Sequence, residues 1–527
     1  MRRGKLLIAC LCAALLAVAA AVPAASAEAN RLALTPPMGW NDWYSAFCGV
    51  SAQLVEQTAQ TMASDGLRTA GYRYVNIDDC WMTPSRDSAG NLVADPTRFP
   101  SGIKPVADYL HSLGLRLGIY EDAGTATCAG LPGSYGHESR EAATFASWGV
   151  DYVKYDRCNI PYGEFPGESP EQVQQTLYAR MSAALKATGR PIVFSICNPD
   201  PGDDPWAWGA AVANLWRTTP DIADNFGSML ANFEGTVGLF RSARPGAWND
   251  PDMLQIGNGG STTLEYQTEF SLWAEMAAPL IASTNLATLS AADLAIYENR
   301  NVIAVDQDPL GKPGVPVRGA GGLWALSKQL RGGDHAVVLF NSTGAATRIA
   351  TSARAVGLPG APRYRLTNLW NRQSSESGGG IAAFVPAHGV AMFRITPLPS
   401  RDTETLAPHS VLSLSPHPGQ IHFGELITVI VSFTNQGTST INRLTLGFRA
   451  PKGWHGRTSR NYRAALRPGR TFRVAVLALA PSVGPPAATA ALTATASYTS
   501  TAGRRVIGAT FGEQLLAPTA ATLPTAK

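Results

Sequence analysis

Between residues 32 and 310 the chain repeats one pattern eight times, a short apolar run closing on polar or aromatic residues and followed by a helix-like stretch. The runs end at Gly39-Trp40-Asn41, Val75-Asn76-Ile77-Asp78-Asp79, Leu117-Gly118-Ile119-Tyr120, Val153-Lys154-Tyr155-Asp156, Ile192-Val193-Phe194-Ser195, Leu215-Trp216-Arg217, Ala247-Trp248-Asn249-Asp250 and Pro279-Leu280-Ile281. Helical periodicity fills intervals such as 52–70, 103–113 and 172–188, the last closed by Gly189. Strands alternating with helices predict parallel β/α units. An open doubly wound sheet shares the alternation, but no G-x-G-x-x-G follows the first strand, and eight units suit closure into a (β/α)₈ TIM barrel.

The remaining chain changes style. Residues 312–320 are Gly/Pro-rich and read as a connector, and period-two runs at 323–330, 335–340, 364–370 and 390–395 predict an antiparallel β-sandwich. Prolines and mixed charges around 397–408 read as a linker, and alternating runs at 427–433, 444–448, 471–477 and 491–498 predict a second β-sandwich. The expected division is 1–27 signal peptide, 28–311 barrel, 312–396 sandwich, 397–408 linker, 409–516 immunoglobulin-like sandwich and 517–527 disordered tail.

The signal peptide rests on Arg2, Arg3 and Lys5, an apolar run over 6–22, and Ala25-Ser26-Ala27 before Glu28. Secretion is therefore expected, and no later run is long enough to span a bilayer. A net charge of +4 with scattered arginines gives no basic stripe for nucleic acid. Of seven cysteines, Cys10 and Cys12 leave with the signal, and Cys48, Cys80, Cys128, Cys158 and Cys197 remain, an odd number in an oxidising compartment.

Barrel chemistry sits where strands end, and this chain puts acids there: Asp78, Asp79, Asp156, Asp221, Asp250 and Asp252. One aspartate could be a turn former; six at one rim point to carboxylate chemistry. Only His111 and His137 fall in this half, neither in a ligand spacing, and no G-x-S-x-G follows a strand. No metal or cofactor is expected. Strand alternation sets Lys154 and Asp156 on one face, an arrangement that would keep Asp156 ionised. Nine of the twelve tryptophans lie in this half; most suit the core, while Trp40 at the first strand end could stack on a sugar ring.

Five ordered motifs then carry a resemblance: Pro36-Pro37-Met38-Gly39-Trp40-Asn41, Asn76-Ile77-Asp78-Asp79-Cys80-Trp81, Tyr152-Val153-Lys154-Tyr155-Asp156, Trp216-Arg217-Thr218-Thr219-Pro220-Asp221-Ile222 and Ala247-Trp248-Asn249-Asp250-Pro251-Asp252-Met253-Leu254. Over residues 32–395 the chain resembles glycoside hydrolase family 27, the family of lysosomal and plant α-galactosidases. The resemblance implies a retaining, exo-acting hydrolase of α-galactoside oligosaccharides or polysaccharides, with Asp156 as nucleophile and Asp221 as acid/base. It assigns Asp78 and Asp79 to the O4 and O6 hydroxyls, Lys154 to hydroxyls beside the nucleophile, and Arg217 and Asp252 to the 2-position side. Trp40 and Tyr120 would wall the pocket, and Cys128 and Asn198 complete the expected substrate contacts.

By the same resemblance, Cys48 pairs with Cys80 and Cys128 with Cys158. Some relatives pair the counterpart of Cys197 with a cysteine before the sixth strand, but 211–215 holds none, so a free thiol near the pocket wall is expected. Where many relatives read Glu-Trp, this chain has Asn198-Pro199-Asp200-Pro201, which leaves N-acetylgalactosamine, β-L-arabinopyranose and isomalto-dextran as alternative substrates. Both Asp78 and Asp79 are kept, which suits a hydroxymethyl group. A non-catalytic carbohydrate-binding protein is the alternative of another class. The last sandwich resembles modules appended to bacterial α-galactosidases; Trp454 is its only tryptophan, poor material for an aromatic platform. Asn341-Ser342-Thr343 is a glycosylation sequon.

Overall fold

The computed structural model describes residues 30–198, 202–361, 363–398, 410–415, 420–435, 440–450, 453–458, 461–467, 470–482, 489–500 and 503–516. The expected signal peptide and tail, and all of the expected linker except Pro397 and Leu398, lie outside them.

The eight runs form eight parallel strands: β1 (Met38–Asn41), β2 (Tyr74–Asn76), β3 (Arg116–Asp122), β4 (Tyr152–Asp156), β5 (Val193–Ile196), β6 (Leu215–Arg217), β7 (Trp248–Asp250) and β8 (Leu280–Ala282). They pair in chain order, with β1 also beside β8. β7 and β8 share no ladder. Pro251 offers no N–H and Asp252 turns to φ +87°, so the chain kinks after β7 and re-enters the wall at Leu254, which bridges in parallel to Ala282. That bridge closes the barrel, and the kink turns Asp252 into the mouth.

Helices start where the sequence supplies caps. Ser51 caps Ala52–Ser64, and capping boxes open Pro170–Ala187 (Ser169 with Gln172) and Thr263–Met276 (Thr262 with Glu265). The helical stretch expected over 52–70 is two pieces, because Gly66 at φ +87° separates Ala52–Ser64 from Leu67–Ala70.

The sandwich comprises β9 (Val315–Ala320), β10 (Leu323–Gln329), β11 (His335–Asn341), β12 (Thr347–Ser352), β13 (Arg363–Asn368), β14 (Ser374–Ser377), β15 (Gly380–Val385) and β16 (Val390–Leu398). Residues 315–320, expected as connector, are strand β9 paired with β10: an edge strand tolerates Pro316, whose missing N–H needs no partner on the open side. β16 likewise continues through Pro397 and Leu398 against β13. Along β11 the two-residue period divides two cores. Ala336, Val338 and Phe340 join the barrel core, whereas Val337 and Leu339 face the core inside the sandwich. The sequon is closed to modification, since Asn341 is fully buried with its amide donating to Ala345 O, Val385 O and Pro386 O.

The last unit is two sheets, of four and five strands, around a core that includes Val429, Val431, Phe433, Leu444, Val474 and Leu492. Trp454 packs against that core.

Candidate active site

Strand ends deliver the side chains to one mouth. Lys154, on the inward face of β4, donates from Nζ to Asp78 Oδ2 at 2.8 Å, and Asn41 at the end of β1 donates to the same oxygen at 2.7 Å. The ammonium also stands 5.2 Å from the centre of the Tyr120 ring. The pairing of Lys154 with Asp156 is thus corrected: the ion pair crosses to β2, although Lys154 still acts on Asp156 through space. Burial would lower Lys154, but the charge of Asp78 and then those of Cys197 and Asp156 hold it well above its ordinary pKa. Asp156 itself is not held low. Burial raises it above the usual carboxylate range against the pull of Lys154 and the Arg157 N–H, which donates to Oδ1 at 2.9 Å.

Asp221 goes the other way. Its side chain is 66% exposed, and although its partial burial pushes upward, Arg217 and then Lys154 hold it below the usual carboxylate value. Arg217 is buried and serves two acids: Nη2 lies 2.9 Å from Asp221 Oδ1 and 3.0 Å from Asp252 Oδ2. Asp252 Oδ2 also accepts from Tyr44 Oη and the Ile222 N–H, both at 2.8 Å. Burial raises Asp252, with Arg217 opposing. Asp250 is pushed up to about 6 by burial, again against Arg217.

Asp79 accepts from the N–H groups of Cys80 at 2.6 Å and Ala129 at 2.9 Å, and burial raises its pKa. The two expected disulfides are present, Cys48 with Cys80 and Cys128 with Cys158. Cys197 is a free, buried thiol, its Sγ 3.7 Å from Arg217 Nη1. Tyr120 Oη stands 3.4 Å from Cys128 Sγ.

Two expected contacts sit differently. Trp40 is 1% exposed, with Nε1 donating to Thr284 O at 2.8 Å, so its indole is packed in the core and offers no open face. Asn198 is buried with its amide donating to Gln174 Oε1 on the helix layer; it lies one residue beyond Cys197, and alternation turns it outward. Its neighbours 199–201 lie outside the described residues.

Sequence reasoning passed over three residues here. Asp42 Oδ1 accepts the Asp78 N–H at 2.7 Å, and burial and then the Asp78 charge raise Asp42 well above its ordinary pKa. Asp122 accepts the N–H groups of Gly124 at 2.7 Å and Cys158 at 2.8 Å, and burial followed by the Asp156 charge pushes it to about 8. Tyr44 is the third. All three follow or extend strand ends, and a rule admitting every polar residue within a few positions of those ends would have found them.

A sequence model described as "Alpha galactosidase A" matches residues 35–308 of this chain. The chain belongs to glycoside hydrolase family 27. Among its family 27 relatives, an alpha-galactosidase of Oryza sativa subsp. japonica is 43% identical over 369 residues, covering 70% of this chain and 86% of the relative. The structure resembles alpha-galactosidase I of Mortierella vinacea, with TM-score 0.67 and 34% identity over 71% of this chain and all of that one. It also resembles an alpha-galactosidase of Saccharomyces cerevisiae solved with raffinose, with TM-score 0.65, 31% identity, 71% of this chain and 100% of that chain. Residues 320–395 match the "Alpha galactosidase C-terminal beta sandwich domain", and 421–499 match the "NPCBM-associated, NEW3 domain of alpha-galactosidase". No helix among the described residues is long and apolar enough to cross a membrane.

Proposed function

We propose that this family 27 member is a secreted, retaining, exo-acting α-galactosidase that removes terminal galactose from oligosaccharides or polysaccharides. The observation that carries the reading is the pairing of two differently held carboxyls at one barrel mouth: Asp156, enclosed beside Lys154, and Asp221, open to solvent on Arg217. Relatives named as α-galactosidases across kingdoms, one of them solved with raffinose, supply the substrate class. The signal-like N-terminus and two disulfides support secretion.

In this reading Asp156 attacks the anomeric carbon while Asp221 protonates the departing oxygen; Asp221 then takes a proton from the water that releases the sugar. The unliganded site holds both groups in the opposite sense, Asp156 up and Asp221 down. Substrate corrects both. An aglycone covering exposed Asp221 strips its water and raises it, and positive charge developing at the anomeric carbon favours ionised Asp156. Asp78 and Asp79, fixed by the Lys154, Asn41, Cys80 and Ala129 donors, read the O4 and O6 side. A sugar lacking the matching hydroxyl leaves those buried acids unpaired, which is a large penalty.

The test uses nitrophenyl α-galactoside with Asp156→Asn and Asp221→Asn. Each substitution is expected to lower kcat by about 10³-fold or more, with azide restoring turnover to the Asp221 variant and yielding α-galactosyl azide, because it displaces Asp156 from a β-linked intermediate. Failure of azide to rescue either variant sinks the role assignment. A panel adding α-N-acetylgalactosaminide, β-L-arabinopyranoside and α-glucoside tests the glycone, and turnover of the glucoside alone overturns the reading.

A further inference from the structure

The disulfide next to Asp156 lies against two carboxylates. One ligand-type atom each from Asp122, Cys128, Asp156 and Cys158 can be chosen so that all four lie within 4.8 Å of one another. A tetrahedral ion bound by thiolate sulfur at about 2.3 Å and carboxylate oxygen at about 2.0 Å needs ligand atoms about 3.3–3.8 Å apart, which is inside that limit. In the oxidised protein the sulfurs are spent on each other and make poor donors; it is the thiolate that ligates. We propose that reduction of the Cys128–Cys158 disulfide converts this corner of the mouth into a site for a soft tetrahedral divalent metal ion, with two thiolates and the carboxylates of Asp122 and Asp156 as ligands.

Three of the four ligands are already held. The Cys158 and Gly124 N–H groups hold the two oxygens of Asp122 at 2.8 and 2.7 Å, the Arg157 N–H holds Asp156 at 2.9 Å, and Tyr120 Oη reaches Cys128 Sγ at 3.4 Å. Such outer donors fix ligand geometry and offset charge. With two thiolates and two carboxylates the loaded site carries a net charge of about −2, which these donors and nearby Lys154 oppose. Cys128 is exposed, so a reductant reaches the bond from solvent, and exposed disulfides are the labile ones. Reduction by a phosphine balances as follows: the phosphorus lone pair breaks the S–S bond, water supplies the oxygen of the phosphine oxide, and both water protons end on sulfur. Metal binding then releases those two protons. An ion on Asp156 occupies the lone pairs that attack the sugar, so the reduced, loaded enzyme is shut off; this last step rests on the nucleophile assignment made above.

The experiment uses the mature enzyme, tris(carboxyethyl)phosphine and cobalt(II), whose thiolate charge-transfer bands report sulfur ligation without reference to activity. Oxidised enzyme is expected to show no such bands, and reduced enzyme to gain them at one cobalt per chain, with turnover falling at least 100-fold and returning on chelation. Cobalt should also slow alkylation of Cys128 and Cys158 at least tenfold by peptide mapping, a readout that needs no variant. Cys128→Ser should weaken the bands and Asp156→Asn should weaken cobalt affinity about tenfold. Absence of bands after reduction, bands unaffected by Cys128→Ser, or unchanged alkylation overturns the site. If bands form and Asp156→Asn weakens them, yet loaded wild type still turns over, the site stands and the nucleophile assignment falls.

Discussion

Arg217 divides a single guanidinium nitrogen between Asp221, at 2.9 Å, and Asp252, at 3.0 Å. Sharing one donor ties the exposed acid to the buried one, so the proton on Asp221 depends on what Arg217 gives to Asp252.

The pH profile of kcat/KM follows from this. With Asp156 raised by burial and Asp221 lowered by Arg217, the form carrying a proton on Asp221 and none on Asp156 is a minor species in the free enzyme. A low bell, its maximum between the two pKa values and on the acid side of neutrality, is expected. Arg217→Gln removes the charge that holds Asp221 down, so the acid limb, which Asp221 sets while it titrates below Asp156, should move to higher pH while kcat/KM falls by about 10²-fold. An acid limb that stays in place would separate Asp221 from Arg217. The other charged or titratable groups acting here are Lys154, Asp250, Asp252, Tyr44 and Cys197.

Cys197 should be silent to thiol reagents in the native protein. Burial, and then the Asp156 charge, raise its pKa well above the ordinary value, so thiolate is scarce and enclosed. Titration of the chain lacking residues 1–27 with an aromatic disulfide should find no reactive thiol when folded and one in denaturant without reductant.

Gly124 has no room for a side chain. A Cβ there would lie 2.7 Å from Asn159 O and strike Cys158 O, pushing on the turn just after Asp156. Gly124→Ala is expected to cost about 1–3 kcal/mol by overpacking and to lower kcat more than tenfold. Denaturant melts and kinetics check the two effects separately; unchanged kcat would mean that the turn relaxes without moving Asp156.

Stability should respond to pH at the seam between barrel and sandwich. There Lys328 is buried beside Glu275, Asp306 and Asp308, with Nζ donating to Ala274 O at 2.8 Å. Burial, opposed by Lys328, pushes Glu275 to about 8 and Asp306 to about 7. Between about pH 4.5 and those values the native state keeps protons that the unfolded chain has released, so these two acids make stability fall as pH rises. Lys328, itself lowered by burial, acts in the opposite sense below its ordinary pKa. The measurement is therefore a difference. Glu275→Gln should gain stability relative to wild type between pH 5 and 8, and a constant offset across that range would refute the assignment.

Much of the fold was legible because each level of the sequence agreed. Apolar runs placed eight strands; β1, β4, β6 and β7 end on the residue that closed the run, whereas β2 stops at Asn76, short of Asp79, and β3, β5 and β8 run on to Asp122, Ile196 and Ala282. β9 was missed because Pro316 and the glycines around it read as turn material, and only its place at a sheet edge makes them tolerable. Trp40 misled for a similar reason: a tryptophan at a strand end resembles a sugar platform, yet its depth beneath the mouth is set by β8 and Thr284, 244 residues away.

The sequence by itself determined that acids crown the strands, that Lys154 and Asp156 share one face, and that the chain has the motifs of its family, since period and strand ends are local properties. Tertiary structure alone decided which charges meet. Lys154 lies two residues from Asp156, yet its ion pair is with Asp78, 76 positions away. Partners at a barrel mouth are chosen by the stagger of neighbouring strands and by how little water reaches each group, and neither quantity is written in any one strand.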